Sequence, residues 1–226
     1  MRRFIPTLFA AALLFGGCVS VHRETTEIRG ASPAEPVDYL ARAAECVEKG
    51  DSTGALGHLK NHLEQRPDAP MVRAYLAELL FQTQKYAEAK PEYERFLNEA
   101  NGRGGAVEKH RIHVHTRLLE IAHETDDPFH ELLHRGIGLL LMVEQWDREP
   151  SPDEGVLAES TLAKALSALR EARKLKANDP RVPLYQAEVQ SRLGQSSAAS
   201  SSILAAKNLL PDASFGVEEL RRLGKY

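Results

Sequence analysis

Residues 130–134 read His-Glu-Leu-Leu-His, a spacing that could support metal-dependent hydrolysis. If this segment is helical, His130 and His134 lie one turn apart and can both bind a zinc ion. Glu131 could then act as the general base that activates a zinc-bound water. Glu154 or Glu159 downstream could supply a further ligand. One alternative for the function is therefore a zinc-dependent hydrolase using His130, Glu131 and His134.

The residues around this motif favour a packed amphipathic helix instead. At 100° per residue, one arc of the helix is apolar, and it contains Phe129, Leu132, Leu133, Gly136, Ile137, Leu140 and Val143. His130 and His134 lie at the edge of this arc. Glu131 points away from it and precedes Arg135 by four residues, the spacing of a helical ion pair. Packing therefore accounts for every residue of the motif.

Further histidines cluster before the motif, and they leave a second alternative open. His110 and His113 share one helix face, whereas His115 points elsewhere. A non-catalytic metal site could combine His110, His113 and His130, because His clusters are a recognised metal-binding pattern. The plain structural explanation is a set of interfacial imidazoles that bond to neighbouring polar groups.

Composition restricts the class of protein and of partner. The chain has 226 residues with 29 Lys and Arg against 32 Asp and Glu, a formal net charge of −3. This mildly acidic balance argues against nucleic acid as a partner, since such binding needs a basic surface. Aromatic residues make up only 6%, and the frequent Ala, Leu and Glu favour helices. No segment shows the period-two alternation of a strand, so we predict an all-α fold.

Helical segments recur every 34 residues. Three small or apolar positions repeat at this interval in the N-terminal half: Ala43 with Ala77, Ala55 with Ala89, and Leu63 with Leu97. A matching pattern lies near the C-terminus, in Ala187, Gly194, Ala199, Ile203, Ala206 and Pro211. Each helical pair of such an array has an apolar face that it can bury only by stacking on its neighbours.

This pattern resembles the tetratricopeptide repeat (TPR) family, whose period is 34 residues. In that family Gly-Asp turns the chain between helices A and B, small residues let the helices approach, and Pro ends the unit. Gly50-Asp51, Ala55, Leu59 and Pro67 match the first repeat. In the second repeat Gln84 and Asn101 replace the Gly and the Pro, which leaves its turns open.

The resemblance implies a TPR-like α-solenoid of antiparallel helix pairs, with an irregular central unit and a C-terminal capping helix. We expect a repeat domain over residues 36–212, with clear repeats at 36–69, 70–103 and 180–212, an irregular part at 104–179, and the cap at 213–226. If Gly138 takes position 8 of a repeat, the distance to Ala168 exceeds the standard one by about 18 residues. The central unit therefore either carries an insertion or packs in a non-standard way.

By the same resemblance, the protein is a non-enzymatic interaction scaffold or adaptor that needs no cofactor. Such arrays bind a peptide or helix in a concave groove lined by helix A. The corresponding groove residues are Leu40, Ala44, Val47, Ala74, Glu78 and Phe81, with Val37 and Met71 at equivalent positions. They lack the Lys, Arg and Asn that clamp a partner's C-terminal carboxylate. We therefore expect an amphipathic helix or an apolar segment of another envelope protein as the ligand.

The N-terminal segment predicts export and lipid anchoring. Arg2 and Arg3 precede a short apolar run, and the segment 1–17 is typical of a signal peptide. Gly16-Gly17-Cys18 resembles the lipobox of bacterial lipoproteins, in which Cys18 would carry the lipid. Residues 18–35 would then form a flexible tether. We expect attachment through Cys18 to the cell envelope. The outer membrane is favoured over the inner membrane, and the protein would face the periplasm. The alternative is a plain signal peptide.

Overall fold

Ten α-helices and no β-strand make up the part of the chain that the computed structural model describes, residues 38–100, 105–149, 154–210 and 215–226. The side chains of residues 154–156 lie outside this description. The helices are α1 (Tyr39–Glu48), α2 (Ser52–Gln65), α3 (Pro70–Gln82), α4 (Tyr86–Glu99), α5 (Ala106–Glu124), α6 (Pro128–Arg148), α7 (Glu154–Leu175), α8 (Arg181–Arg192), α9 (Ser196–Asn208) and α10 (Val217–Leu223). The predicted all-α fold is confirmed.

Local sequence signals begin several of these helices. The side chains of Asp38, Asp51 and Asp127 each accept hydrogen bonds from backbone N–H groups in the first turn of the helix that follows. These bonds satisfy donors that have no partner within the helix. Pro70 and Pro128 occupy the first turn of α3 and α6, where a missing N–H costs nothing.

One turn geometry connects four of the helix pairs. Gly50, Gln84, Asp126 and Gly194 have φ values of 74°, 59°, 52° and 72°. The residue after each of them donates its N–H to a carbonyl five residues earlier: Asp51 to Cys46, Lys85 to Leu80, Asp127 to Ala122, and Gln195 to Gln190, at 2.8–2.9 Å. This bonding ends a helix at a left-handed residue. The second repeat thus keeps the turn although Gln replaces Gly.

The same turn shows that α5 and α6 form a helix pair, which the sequence analysis missed. Asp126-Asp127 stands where the first repeat has Gly50-Asp51, and Asp tolerates positive φ better than most residues. The turn between α5 and α6 could have been predicted from this Asp-Asp dipeptide. Helix α6 packs against both α5 and α7, so it serves two pairs.

The central unit differs from the regular repeats by the length of its helices. Helices α5, α6 and α7 have 19, 21 and 22 residues, compared with 10–14 in α1 to α4. A Cβ on Gly136 would lie 2.6 Å from Leu169 Cγ, whereas one on Gly138 would meet nothing closer than His115 Cβ at 3.8 Å. The close approach of α6 to α7 therefore occurs at Gly136 and not at Gly138, the residue considered for position 8 of a repeat.

Two large apolar clusters hold the described helices together. The first joins α1 to α5 and contains the fully buried Tyr93 and Phe96. The second joins α6, α7 and α8 around Leu133, Leu140 and Leu169. Residues 182–190 of α8 are buried without interruption, because α7, α9 and α10 all pack around this helix. None of the helices in the described ranges is long and apolar enough to cross a membrane.

Candidate functional site

Three of the predicted groove residues lie on α1. Leu40, Ala44 and Val47 are each partly exposed, and Leu40 and Val47 also contact the first apolar cluster. Their spacing places them along one side of α1. Within the described residues, this side retains apolar surface that a partner could contact.

The other three predicted groove residues lie on α3 and differ from one another. Ala74 has no exposed surface, so it offers nothing to a partner. Phe81 is partly exposed, and the guanidinium of Arg117 lies over its ring at 4.6 Å from the centroid. Glu78 faces α5, where it takes part in a hydrogen-bond network.

Glu78 is the centre of a network that ties α3 and α4 to α5. Its Oε2 accepts hydrogen bonds from Tyr93 Oη at 2.8 Å, from His113 Nε2 at 3.0 Å and from Arg117 Nε at 3.0 Å. Burial disfavours the charged form, but these three donors outweigh it and hold the pKa of the Glu78 carboxyl well below its usual range. With its oxygens engaged, Glu78 acts as a structural junction.

The His-Glu-Leu-Leu-His motif forms part of α6, and its Glu131 lies apart from the two histidines. Glu131 accepts a hydrogen bond from Arg135 Nη2 at 2.6 Å, which confirms the predicted ion pair. His130 Nδ1 lies 2.5 Å from Asp127 Oδ2, the N-cap carboxylate of α6. His134 is buried and its Nδ1 lies 3.1 Å from the Nδ1 of His115. Glu131 therefore has partners of its own, whereas the rings of His130 and His134 stack with their centroids 6.0 Å apart.

No group of three or more His, Cys, Asp and Glu side chains converges on a metal-binding position within the described residues. The rings of His110 and His113 lie 5.0 Å apart at a tilt of 42°, and His110 meets Phe96 edge to face between α4 and α5. The side chain of Glu154, proposed as a third ligand, lies outside the described residues, and Glu159 is exposed. Neither metal alternative gains support from this geometry.

A cavity of about 610 Å³ lies where the N-terminal half of α6 faces α5 and α8. Its lining is polar and carries both signs of charge, with Arg111, His115, His130, His134, Lys176, Asp179, Arg181, Tyr185, Glu218 and Glu219 among its residues. Asp179 accepts hydrogen bonds from Arg181 at 2.8 and 2.9 Å, so these two charges largely offset each other. Two buried nitrogens of the lining, Arg111 Nε and His134 Nε2, have no hydrogen-bond partner among the described residues.

Helix α10 closes one side of this cavity and is held by a buried arginine. Arg222 has no exposed surface and donates to both carboxylate oxygens of Glu144, at 2.7 and 3.0 Å. Its Nε donates to Glu218 at 2.6 Å, and Glu188 lies 3.4 Å away. Although burial opposes ionisation of Glu144, the Arg222 guanidinium lowers its pKa. Sequence analysis missed this cluster, because only the Glu218–Arg222 spacing is local.

The predicted lipid-attachment residue Cys18, the signal segment 1–17 and the tether 18–35 lie outside the described residues, as does Val37. Cys46 is a free thiol on α1 and is partly buried.

No family model and no curated protein matches this sequence. Solved structures with a similar arrangement include MamA, at 13% identity and a TM-score of 0.36, covering 81% of this chain and 97% of that one. MamA 41-end from Desulfovibrio magneticus RS-1 has 14% identity and a TM-score of 0.31, covering 78% and 96%. YrrB, described as a TPR protein with an unusual peptide-binding site, has 14% identity and a TM-score of 0.37. The match covers 83% of this chain and 91% of YrrB. At these values the likeness concerns the fold alone. The paired helices and repeated turns of the chain itself define it as a TPR-like α-solenoid.

Proposed function

We propose that this protein is a non-enzymatic interaction scaffold that binds an apolar segment or amphipathic helix of a partner on the inner face of α1 and α3. The observation that carries the proposal is the partly exposed apolar surface of Leu40, Val47 and Phe81 on helices A of the first two repeats. Stacked helix pairs provide extended surfaces of this kind for protein binding. A partner helix would bury its apolar face there.

The proposed site of action is the cell envelope, where lipid on Cys18 would anchor the protein and the partner would be another envelope protein. The motif at Gly16-Gly17-Cys18 supports this part of the proposal. Labelling of cells with palmitate tests it. We expect label on the wild-type protein and none on a Cys18→Ala variant; label on both variants, or on neither, contradicts lipid attachment at Cys18.

Site-specific photo-crosslinking tests the groove. A photoreactive amino acid at Val47 should give an adduct with a distinct partner, whereas the same group at Leu204 should not, because Leu204 is 60% exposed but lies on α9. A Phe81→Glu substitution should reduce the yield from Val47 several-fold, and Leu204→Glu should leave it unchanged. Equal adducts from Val47 and Leu204 would show that α1 has no specific partner.

A further inference from the structure

Phe81, the aromatic residue of the proposed groove, lies beside two carboxylates that share one guanidinium. Arg117 on α5 covers the Phe81 ring at 4.6 Å from its centroid. The same guanidinium donates to Glu78 through Nε and Nη2, at 3.0 and 2.9 Å, and to Glu120 Oε2 through Nη1 at 2.7 Å. With the imidazole of His113 neutral, two carboxylates therefore face one cation, and a net negative charge lies next to the apolar surface of Phe81.

The two carboxylates differ in what they offer to a partner. The Glu78 side chain is 12% exposed, and both of its oxygens accept hydrogen bonds from side chains of α3, α4 and α5. The Glu120 side chain is 40% exposed, and its Oε1 accepts no hydrogen bond from the described residues. Glu120 is therefore the carboxylate that a partner can reach.

The charges around this position favour a basic group on the partner. Burial raises the pKa of the Tyr93 hydroxyl, which donates to Glu78. Glu78 and Glu120 raise this pKa further, whereas Arg117 lowers it, so two anions act there against one cation. Acidic groups of a partner would be repelled by the remaining negative charge, and basic groups would be attracted to it.

The distances along this contact match one turn of a partner helix. Glu120 Oε2 lies at most roughly 9 Å from the centroid of the Phe81 ring, because the guanidinium of Arg117 touches both. Side chains three or four positions apart lie on the same face of a helix, with about 5–6 Å between their Cβ atoms. A helix that places a large apolar residue on Phe81 can therefore bring a long basic side chain, one turn away, to Glu120.

We propose that the partner helix carries a lysine or arginine one turn from the apolar residue that contacts Phe81, and that Glu120 receives this basic side chain. The inference rests on the proposed scaffold function and adds the sign of charge that the groove selects. Complementary charges across an interface favour the matching partner and exclude partners of like charge. Glu120 is thus a residue that determines specificity, beside the surface formed by Phe81 and Arg117.

Two synthetic helical peptides of identical composition test this selection on the full-length protein. Both contain about 18 residues of Leu, Ala, Gln and Lys, or about five turns of helix. The edge peptide has its Lys residues one turn from Leu, at the border of the apolar face, whereas the centre peptide has them at the middle of the opposite face. Because their net charges are equal, general attraction to the acidic protein is the same for both.

We expect the protein to bind the edge peptide about three- to fivefold more tightly than the centre peptide, the effect of a partly exposed ion pair. Fluorescence anisotropy of labelled peptides measures both affinities. Equal affinities, or binding of neither peptide, would overturn the selection of a basic residue.

Two variants with the same change of net charge assign the selection to Glu120. Glu120→Gln removes the carboxylate and keeps an oxygen that can accept from Arg117, so the edge peptide should lose its advantage. Glu64→Gln, at an exposed site on α2, is the matched control and should leave the advantage intact. An advantage that survives in Glu120→Gln would overturn the role of Glu120.

Salt tests the same contact without any substitution. Raising the salt concentration from about 0.05 to about 0.5 M screens exposed charges, so the advantage of the edge peptide should shrink. An advantage independent of salt would contradict an ion pair.

Crosslinking and chromatography separate this inference from the scaffold function and from self-association. Adducts at Val47 together with equal peptide affinities would leave the scaffold function standing and remove only the charge selection. Equal adducts from Val47 and Leu204 would remove the scaffold function and this inference with it. A concentration-dependent dimer in size-exclusion chromatography that Glu120→Gln dissociates would assign this surface to a second copy of the chain and overturn the partner helix.

Discussion

Buried imidazoles make the stability of the protein sensitive to acid. His115 is 4% exposed and faces Arg111, Arg181 and Arg222, with Glu218 as the opposing charge. Burial, and then these cations, lower its pKa to about 3. His134 is also buried, and its pKa is lowered by burial and by His115, Arg181, His130 and Lys90. Both rings are therefore neutral in the folded protein well below the pH at which they take up a proton in the unfolded chain.

The sign of the pH effect follows from this difference. Below pH 6.5 the unfolded chain binds more protons than the folded one, so the free energy of unfolding falls as the pH falls, by about 1.4 kcal/mol per pH unit for each such histidine. We expect urea denaturation to show a less stable protein at pH 5 than at pH 7. The free energy of unfolding of a His115→Gln variant should fall less over this interval. That of His123→Gln, a change at an exposed site, should fall as much as in the wild type. An unchanged pH dependence in His115→Gln would remove His115 as the cause.

Two glycines of α6 give a test of close packing at the residue scale. A methyl group on Gly136 would clash with Leu169 Cγ at 2.6 Å and meet the carbonyl oxygen of Ala165 at 3.3 Å. We expect Gly136→Ala to lower the free energy of unfolding by about 1–3 kcal/mol. Gly138→Ala has room and should raise it by about 0.5–1 kcal/mol through helix propensity. Denaturant titration of both variants measures the contrast. Equal effects would show that α6 and α7 are not in close contact at Gly136.

At the scale of single elements, the second repeat contains a strained turn. Gln84 adopts a φ of 59°, a region that glycine enters readily and glutamine does not. We expect Gln84→Gly to raise the free energy of unfolding by about 0.5–1 kcal/mol, after allowing for the entropy of glycine in the unfolded chain. Asp126→Gly, in the equivalent turn before α6, should gain less because Asp tolerates this region better. Calorimetric melting temperatures of the two variants check this order; a loss of stability in Gln84→Gly would contradict it.

The same turns show how far sequence predicts this fold. Local signals were sufficient where a turn residue and a repeated apolar position agreed, as at Gly50 with Ala55 and at Gly194 with Ala199. They did not reveal that α6 serves both α5 and α7, since a buried face looks alike whichever helix covers it. They also could not place Arg222 beside Glu144, 78 residues away, because a contact at that separation exists only once α10 has packed.

The candidate site was predicted in the same uneven way. The groove positions on α1 came from the resemblance to the TPR family, and those residues are partly exposed. Glu78, placed in the groove by the same resemblance, faces Tyr93, His113 and Arg117. A lone carboxylate on a helix face gives no indication of which neighbouring helix will supply its donors. The ion pair of Glu131 in the His-Glu-Leu-Leu-His motif could be predicted, because its partner Arg135 lies four residues later in the same helix.

At the scale of the whole molecule, the paired helices are not equally stable. In a stacked array each unit depends on its immediate neighbours, so end elements lose support that central elements have. Helix α1 packs mainly on α2, while α8 is covered by α7, α9, α6 and α10. The first large apolar cluster includes α5 and the second includes α6, and the contact of His115 with His134 adds a polar link between these two helices. Glu78 adds a polar link between α3 and α5.

This gradient predicts a graded pattern of native-state hydrogen exchange. Backbone amides of residues 184–190, which are buried without interruption, should exchange slowest and report on global unfolding. Amides of α1 should exchange fastest among the regular repeats, and those of α10 should also exchange early because few apolar contacts hold that helix. An Arg222→Ala substitution should speed exchange in α10 and leave α1 unchanged, because Arg222 joins α10 to Glu144 of α6. If α10 exchanges as slowly as α8 in the unsubstituted protein, the helix opens only when the whole array unfolds, which would contradict the graded pattern.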